Sequence, residues 1–443
     1  MLRKVAQTAL RYEPLLLMAV VYTFWYADAN RLWSLLLLPP LLLLRWFAYG
    51  RLVTQTPLNA VLATLLVLAV ANVFVAAYSR GDTSLALPVL DLQLTIPWAW
   101  VMLGRPLMGV ALYFSFVEHG RRYGVQGLAR TTVVLGLIVA FLALFSTQWN
   151  AKSEQLAPII ERLPTISDIW LAPGGFNANE IAGGMAWLIP LTAALALHYW
   201  RPRVVQVGAA AAFALLLFCL FLGQSRLAIG GVIVGLGLVM MTLVPPGRRR
   251  VLALVGLALF TAAEVAIVRN VFAPPSYGAV MVARDENSSA ARLEMYLSVV
   301  NILQDHPLTG VGMNMYRDGQ VRADYPVPSF GQRILPHAHN ELLQLGADFG
   351  VPGLVFFIML HLVVAVMVWR CWRQPDRQSR VIAMGVAAAL LAHGIYGAGD
   401  AVALWDRFIF VFWWALGLLG AQYTLVTQPA PAPQAAVGER QTS

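Results

Sequence analysis

The most informative stretch of the sequence is Pro336-His337-Ala338-His339-Asn340-Glu341, together with the Gly350-Val351-Pro352-Gly353 that follows it. These residues close a long polar segment within an otherwise lipid-like sequence and return the chain to an apolar run. Two histidines lie beside an amide and a carboxylate, at the expected boundary between water and membrane. Titratable side chains at that boundary predict chemistry on a substrate that the membrane presents.

The composition is that of a membrane protein with many spans. Of the 443 residues, 59% are hydrophobic and 12% are charged, whereas soluble domains carry roughly 25% charged residues. Apolar runs of the length that crosses a bilayer recur along the chain. We therefore expect an all-α polytopic membrane protein of about 12 transmembrane helices, with a large outer loop that contains short helices.

The predicted spans, each about 20 residues long, divide the chain into four regions. They cover about 14–27, 32–50, 58–78, 95–117, 127–147, 180–199, 204–222, 227–245, 251–271, 341–369, 381–399 and 407–427. Residues 1–271 hold spans one to nine and an outer loop near 148–179. Residues 272–339 form the large outer loop, residues 340–427 hold spans ten to twelve, and residues 428–443 are a disordered tail. In the large loop, Ser288-Ser289 predicts the start of a helix from about Ala290 to Gln304.

Charge placement predicts the orientation. Basic residues cluster in alternate connections and most acidic residues lie in the others. Since cytoplasmic loops attract arginine and lysine, both termini are expected in the cytoplasm, and much of the +9 net charge is topological. Lys4 and Lys152 are the only lysines, so nearly every positive charge is a guanidinium, whose planar fork matches phosphate oxygens.

His337 and His339 are the candidate catalytic residues. An imidazole near the membrane surface exchanges protons with water, and its ordinary pKa of about 6.5 suits a general base. Asn340 or Glu341 is expected to orient the ring. The alternative is a helix-capping polar cluster with no catalytic role. The other histidines in or near the spans are interpreted as structural: His119, His198, His361 and His393.

No metal or cofactor is predicted. The His337-Ala338-His339 spacing alone does not make a metal motif, and no HExxH motif or Asp-x-Asp signature accompanies it. Cys219 and Cys371 lie in or beside apolar runs, so no disulfide or thiolate site is expected. No phosphate-binding loop of the P-loop type is present, so a nucleotide donor is not expected.

Three arginines are candidates for phosphate binding. Arg226 and Arg292 lie on the outer side, against the positive-inside trend, and Tyr296 lies one helical turn from Arg292. Arg105 lies within the fourth predicted span, where a charge lines a cavity or has a partner. A structural ion pair with Glu264 is the alternative for Arg105.

The first outer loop ends in Gly174-Gly175-Phe176-Asn177-Ala178-Asn179-Glu180. The glycines allow the backbone to approach a ligand closely. Asn177 and Asn179 are candidates to bind sugar hydroxyls, and helix capping is the alternative, especially for Asn179.

One pattern joins these pieces: His339-Asn340, nine residues, Gly350, two residues and Gly353. It matches every position of the signature of the O-antigen ligase/polymerase superfamily, which is His, then Asn, Ser or Gln, nine residues, Gly, two residues, and Gly, Thr or Tyr. Three other pieces are similar: Gly175 to Ala182; Ser225-Arg226; and Arg292 followed by His306-Pro307-Leu308-Thr309-Gly310-Val311-Gly312. In the first of these, many relatives carry proline at the place of Ala178. From about residue 174 to 353, the chain resembles the O-antigen ligases of the lipopolysaccharide pathway.

The resemblance implies a membrane glycosyltransferase of the GT-C type in the bacterial inner membrane, with an active site and large loop that face the periplasm. Its donor would be a glycan on undecaprenyl pyrophosphate, and its acceptor a terminal sugar of lipid A core. His339 would deprotonate the acceptor while Arg226 and Arg292 bind the pyrophosphate, without metal or cofactor. The expected partners are these two substrates and membrane lipids, and no nucleic acid.

Three alternatives stay open. A Wzy-type O-antigen polymerase uses the same donor with a lipid-linked glycan as acceptor, and a protein O-oligosaccharyltransferase uses serine or threonine. We expect the ligase because the tail after residue 427 is short. A lipid-glycan transporter is the third, and the sequence shows none of the internal repeats that transporters carry.

Overall fold

The computed structural model describes residues 2–23, 38–78, 84–89, 92–149, 157–163, 175–198, 203–242, 247–248, 251, 255, 289–331 and 335–428. The described chain is mainly helical and contains several helices able to span a membrane, as expected of an all-α polytopic membrane protein. Three predicted features lie wholly or mostly outside the described residues: the ninth span, residues 272–288 of the large loop, and the tail after residue 428.

The described residues form sixteen α-helices. In chain order they are α1 (Leu2–Leu10), α2 (Glu13–Thr23), α3 (Leu38–Tyr49), α4 (Leu58–Val75), α5 (Trp98–Tyr123), α6 (Gln126–Ser146), α7 (Ala157–Ile160), α8 (Ala178–His198), α9 (Arg203–Gly223), α10 (Arg226–Met241), α11 (Ser289–Asp305), α12 (Gly319–Asp324), α13 (Glu341–Phe349), α14 (Val351–Trp372), α15 (Arg377–Gly397) and α16 (Ile409–Thr427). The predicted helix from about Ala290 to Gln304 is confirmed as α11.

Eight of the described helices are long and apolar enough to cross a membrane: α4, α5, α6, α8, α9, α14, α15 and α16. A helix suits this environment because it satisfies its own backbone hydrogen bonds where no water is present. These eight correspond to predicted spans three to seven and ten to twelve. The eighth predicted span corresponds to α10, which is apolar but has only 16 residues.

Two short sheets, which the sequence analysis did not predict, accompany the helices. Strands β1 (Ser84–Val89) and β2 (Leu92–Pro97) pair antiparallel immediately before α5. Strands β3 (Thr147–Gln148) and β4 (Phe176–Asn177) pair parallel. The second pair joins the end of α6 to the start of α8, so it fixes where α8 begins.

The membrane helices pack closely through small residues. Helix α8 packs against α9, α10 and α15, and α16 packs against α5. A side chain at Gly109 of α5 would clash with Trp413 of α16, and one at Gly231 of α10 would clash with the backbone of Ala392 on α15. Such close approach is how helices associate in a bilayer, where apolar burial alone gives no preference for protein over lipid.

The large loop has a hydrophobic core of its own. Met295 and Val299 of α11 pack with Tyr316, Val321 and other buried side chains of the segment 311–335. The same core includes Ala338 of the histidine loop and Ala347 of α13. The loop is therefore a packed unit that rests on α13, and the histidines lie where this unit meets the membrane helices.

The predicted tenth span, 341–369, is two helices in the structure, α13 and α14. The break falls at Gly350, whose φ of 70° lies in the left-handed region. A side chain at Gly350 would clash with the carbonyl of Pro307, and one at Gly310 would clash with the carbonyl of Ala347. The absence of side chains at Gly310 and Gly350 thus lets the segment 307–312 pack directly on the α13–α14 turn.

Candidate active site

His339 has a backbone conformation that is rare for its residue type. Its φ is 48°, in the left-handed region, which costs an ordinary residue on the order of 1–2 kcal/mol. The next residue, Asn340, is the N-cap of α13, and its Oδ1 accepts the N–H of Leu343 at 3.0 Å. The capping alternative is therefore correct for Asn340, while His339 lies in a strained position of the kind found at functional sites.

Both histidines lie against one carboxylate. Nε2 of His337 is 3.5 Å from Oδ1 of Asp400, and Nδ1 of His339 is 3.3 Å from the same oxygen. Asp400 lies in the connection between α15 and α16 and is 5% exposed. The cluster is largely buried but open enough for a ligand, since the side chains of His337 and His339 are 15% and 19% exposed.

The hydrogen bonds distinguish the two imidazoles. Nδ1 of His337 accepts the backbone N–H of His339 at 3.2 Å, so in the neutral ring the hydrogen is on Nε2 and faces Asp400. Both nitrogens of His337 are then in use. His339 faces Asp400 through Nδ1, which leaves Nε2 with a lone pair to accept a proton.

The electrostatics of this cluster keep the carboxylate charged and His337 neutral. Burial lowers the pKa of His337 from 6.5 to about 4, more than the charge of Asp400 raises it. Burial raises the pKa of Asp400, but its hydrogen bond to His339, the two imidazoles and the N–H of Ala401 together lower it to about 2. At neutral pH, Asp400 is thus a carboxylate that faces a nitrogen of each ring.

Tyr296 and Asn340 tie this cluster together. The hydroxyl of Tyr296 lies 3.2 Å from the carbonyl of His339 and 3.3 Å from that of Ala398. Nδ2 of Asn340 donates to the same Ala398 carbonyl at 3.0 Å. Burial raises the pKa of Tyr296, so its hydroxyl remains a donor. Both residues, predicted to bind or orient the glycan, fix the backbone next to Asp400.

Arg292 and the start of α10 both lie against the α15–α16 connection, which contains Asp400. A side chain at Gly399 would lie 3.3 Å from Nη1 of Arg292 and would clash with Leu227. Arg226, exposed at the first turn of α10, is the neighbour of Leu227. The structure therefore brings Arg292 and the Arg226 end of α10 to the residue that precedes Asp400.

Two acids that could pair with these arginines, Glu180 and Glu294, have other partners. Glu180 binds Arg407, with Nε–Oε1 and Nη2–Oε2 distances of 3.0 Å. Glu294 accepts the N–H of Ser329 at 2.8 Å. Among the described residues, neither Arg226 nor Arg292 forms an ion pair.

Glu341, one of the two residues predicted to orient the candidate catalytic histidines, contacts a different histidine. Its Oε2 lies 3.3 Å from Nε2 of His393, whose ring stacks on Trp187 with centroids 3.4 Å apart. Nδ1 of His393 lies 3.0 Å from the carbonyl of Gly183. Because Glu341 is in the first turn of α13, its side chain points toward α15 and away from His339.

Arg105 lies apart from the histidines. It is 8% exposed and lines a cleft between α5 and α16 with Asp406 and Arg407. Glu264, its predicted alternative partner, is outside the described residues. Asp406 also acts electrostatically on His337, so the cleft that Arg105 lines borders the same α15–α16 connection.

The two asparagines at the start of α8 have structural contacts. Oδ1 of Asn177 accepts the N–H of Asn179 at 2.8 Å, and the carbonyl of Asn179 accepts the hydroxyl of Tyr396 at 2.9 Å. Capping therefore belongs to Asn177, whereas the sequence analysis favoured Asn179 for it. Arg407 donates to the carbonyl of Gly175 at 3.2 Å, which joins this turn to the α15–α16 connection.

His337, His339 and Asp400 are also the described group best placed to hold a metal ion, since their ligand atoms lie within 4.8 Å of one another. The hydrogen bond from the N–H of His339 opposes this use. It leaves the hydrogen of His337 on Nε2, the atom that would have to bind the metal. The donor set therefore fits a hydrogen-bonded cluster better than a metal centre.

Asp400 is the functional residue that sequence reasoning missed. The sequence shows it as one of several outward acids, and nothing in its spacing links it to a motif 60 residues earlier. The usable signal was a carboxylate in a short outer connection, on the same side of the membrane as the histidines. Only the packing of α15 against α8 and α10 brings that connection under the histidine loop.

Comparison with known proteins agrees with the resemblance. A family model described as O-antigen ligase matches residues 211–358, about a third of the chain. No curated protein matches the chain. The matched region contains Arg226, Arg292, His337, His339 and the signature glycines, and it ends before Asp400. Residues 211–358 are thus similar to the O-antigen ligase family.

Proposed function

We propose that this protein is an O-antigen ligase. It transfers a glycan from undecaprenyl pyrophosphate to a sugar hydroxyl of lipid A core, at the periplasmic face of the bacterial inner membrane. The observation that carries the proposal is the shared position of four groups: His339, Asp400, Arg292 and the Arg226 end of α10 meet at the α15–α16 connection. These groups supply a base, its orienting carboxylate and cations for a diphosphate.

His339 is the general base in this proposal. Nε2 accepts the proton of the acceptor hydroxyl as that oxygen attacks the anomeric carbon. Asp400 accepts the Nδ1–H hydrogen bond, which holds the tautomer and stabilises the imidazolium that forms. His337 is a positioning residue, because both of its nitrogens are already engaged.

Arg226 and Arg292 act on the leaving group. The bond between the anomeric carbon and the phosphate oxygen breaks, and undecaprenyl pyrophosphate departs with the electron pair and its negative charge. Two guanidinium groups stabilise that charge through paired hydrogen bonds. Because pyrophosphate already leaves readily, the reaction needs no nucleotide and no metal in this scheme. A single displacement inverts the anomeric carbon.

The test is a transfer assay with purified protein in lipid. Polyprenyl-pyrophosphate glycan is offered with lipid A core, with a second lipid-linked glycan, or with a serine- and threonine-containing peptide, each with and without excess chelator. Transfer to lipid A core that survives the chelator is the expected result. Elongated lipid-linked glycan would indicate a polymerase, glycosylated peptide a protein transferase, and loss of activity restored by one metal ion would contradict the metal-free scheme.

A further inference from the structure

A buried amide lies directly beneath the histidine loop. The backbone N–H of Ala338, between the two histidines, donates to Oε1 of Gln344 at 2.8 Å. Gln344 is 1% exposed, so no water competes for this bond. A backbone N–H only donates, and this fixes the amide: Oε1 faces Ala338, and Nε2 faces away from it.

The other end of the amide meets a buried acid. Nε2 of Gln344 donates to Oδ2 of Asp348 at 2.8 Å, and Oδ1 of Asp348 accepts the N–H of Asn314 at 3.0 Å. Asp348 is fully buried, and burial raises its pKa well above the ordinary value, while Gln344, Asn314 and the charge of Arg317 act against that rise. Each carboxyl oxygen of Asp348 therefore has its own donor, Gln344 for Oδ2 and Asn314 for Oδ1.

The chain of bonds is anchored in the membrane helices. Nδ2 of Asn72, on α4, donates to the carbonyls of Asp348 and Thr309 at 2.9 and 2.8 Å. Its Oδ1 accepts the N–H of Met313 at 2.9 Å. A line of hydrogen bonds therefore runs from α4, through α13, to the peptide between His337 and His339.

This chain of hydrogen bonds ends beside His339, where it restrains the backbone of the histidine loop. His339 is left-handed, and a strained residue persists only where its surroundings over-determine it. The bond from Ala338 to Gln344 holds the loop together with the Asn340 cap, Tyr296 and the bond from Arg317 to the carbonyl of Pro336. A row of buried polar groups is a costly way to fill a core, so its geometry serves to fix one arrangement of the loop.

We propose that Gln344 and Asp348 are positioning residues that hold His339 in register with Asp400 and the arginines. The inference rests on the proposed function, in which His339 is the base. Neither side chain touches substrate in this scheme. Their loss acts on the rate of transfer and leaves donor binding by Arg226 and Arg292 in place.

Two single substitutions break the order of donors and acceptors. Asp348→Asn keeps an oxygen for the N–H of Asn314 but turns an amide NH2 group toward the NH2 group of Gln344. Gln344→Glu places a carboxyl beside the carboxyl of Asp348, so the pair must share one proton. A displacement of about 1 Å at a reacting group costs on the order of 10²-fold in rate, and we expect kcat to fall by about 10–10²-fold.

The double variant restores the order with the roles exchanged. In Gln344→Glu with Asp348→Asn, the carboxylate at position 344 accepts from Ala338 and from the amide at 348, whose oxygen accepts from Asn314. We expect kcat at least about tenfold above either single variant, a coupling within the range for residues in contact. Gln344→Glu alone should lose activity as pH rises and the shared proton is lost. The exposed Gln304→Glu is the control for an added charge.

The measurements are kcat, the Kd for polyprenyl pyrophosphate, and the rate at which diethylpyrocarbonate modifies His337 and His339, read by mass spectrometry. The expected result is lower kcat, unchanged Kd and altered histidine modification in the single variants, with all three restored in the double variant. Single variants with wild-type kcat, or a double variant no better than the singles, would overturn the proposal. Inactive wild-type protein would instead refute the proposed function, and the modification rates would still test the positioning.

Discussion

Nδ1 of His339 lies 3.3 Å from Oδ1 of Asp400, although 60 residues of chain, including the two membrane helices α14 and α15, separate them. This contact gives the imidazole a direction: one nitrogen faces a carboxylate, and the other is left to accept a proton. The same oxygen lies 3.5 Å from His337, whose second nitrogen is occupied by the backbone. The two candidate histidines therefore have different surroundings, and this supports the proposal that His339 is the base and His337 a positioning residue.

The first prediction separates these roles. His339→Asn should reduce transfer by about 10²–10⁴-fold, the usual contribution of a general base. Asparagine tolerates the left-handed backbone at this position, so the loss reports the imidazole and not the strain. His337→Asn should be less severe, since it removes only a positioning contact. Turnover is compared on equal amounts of folded protein, and a His339→Asn enzyme near wild-type activity would exclude His339 as the base.

The second prediction concerns the carboxylate. Asp400→Asn keeps the shape of the side chain but offers NH2 as well as oxygen to the two rings, so the tautomer of His339 is no longer fixed. We expect transfer to fall by about 10²-fold or more, as when a carboxylate that orients a catalytic histidine is replaced by its amide. Donor affinity should not change, because the arginines remain. Reduced donor affinity with unchanged kcat would place Asp400 in binding instead.

Much of the fold is readable from the sequence because the membrane imposes simple rules. Eight predicted spans correspond to helices able to cross a bilayer, since length and apolarity alone identify them. The break at Gly350 was not predicted, because the apolar run continues on both sides of it. Its cause is the carbonyl of Pro307, a contact from another segment that hydropathy does not contain.

The site is readable only in part, for a related reason. His339, Arg226 and Arg292 have local signals: a motif, and outward arginines against the positive-inside trend. Asp400 and Gln344 have none, because their roles come from contacts across 60 residues and from burial. Glu341 is the opposite case. Its nearness in sequence to His339 suggested a contact with that ring, but in the first turn of α13 its carboxylate lies against His393 instead.

The third prediction concerns the pyrophosphate. Arg226→Lys and Arg292→Lys keep the charge but lose the planar fork that binds two oxygens at once. Hydrogen bonds to charged groups contribute about 1.5–3 kcal/mol, so donor affinity should fall by about 10–10²-fold in each variant. Arg380→Lys, whose guanidinium donates only to the carbonyl of Pro375, is the matched control. If donor affinity were unchanged in both variants, the two arginines would not clamp the diphosphate.

The fourth prediction is the response of stability to acid. Burial lowers the pKa of His337 from 6.5 to about 4, so the unfolded chain takes up a proton at a higher pH than the folded protein does. The stability that neutral His337 maintains is present above pH 6.5 and is lost as pH falls toward 4. Asp400, lowered from 3.8 to about 2, adds a further loss only below about pH 4.

The melting temperature in detergent, measured from pH 7 to pH 4, tests this response. We expect it to fall across that window in the wild type and to fall less in His337→Gln, which has no proton to bind. Parallel curves for the two proteins would mean that His337 is not the group responsible.

The last prediction tests whether Gly310, which packs against the α13–α14 turn, acts through packing. Gly310 has a φ of 59°, and a side chain there would clash with the carbonyl of Ala347 on α13. Gly310→Ala should therefore destabilise the protein by about 1–2 kcal/mol from the left-handed backbone alone, and by more because segment 307–312 must move.

Gly319→Ala is the matched control in the same outer unit, where φ is not positive and no atom lies within 4 Å of the added carbon. Asn72 binds the carbonyl of Thr309 in this segment, and Asn314, which binds Asp348, follows two residues after it. Gly310→Ala should therefore also alter the modification of His339 by diethylpyrocarbonate, whereas Gly319→Ala should not. Equal melting temperatures for the two variants would show that the motif glycine is not needed for packing, and a direct role in binding substrate would then be the better explanation.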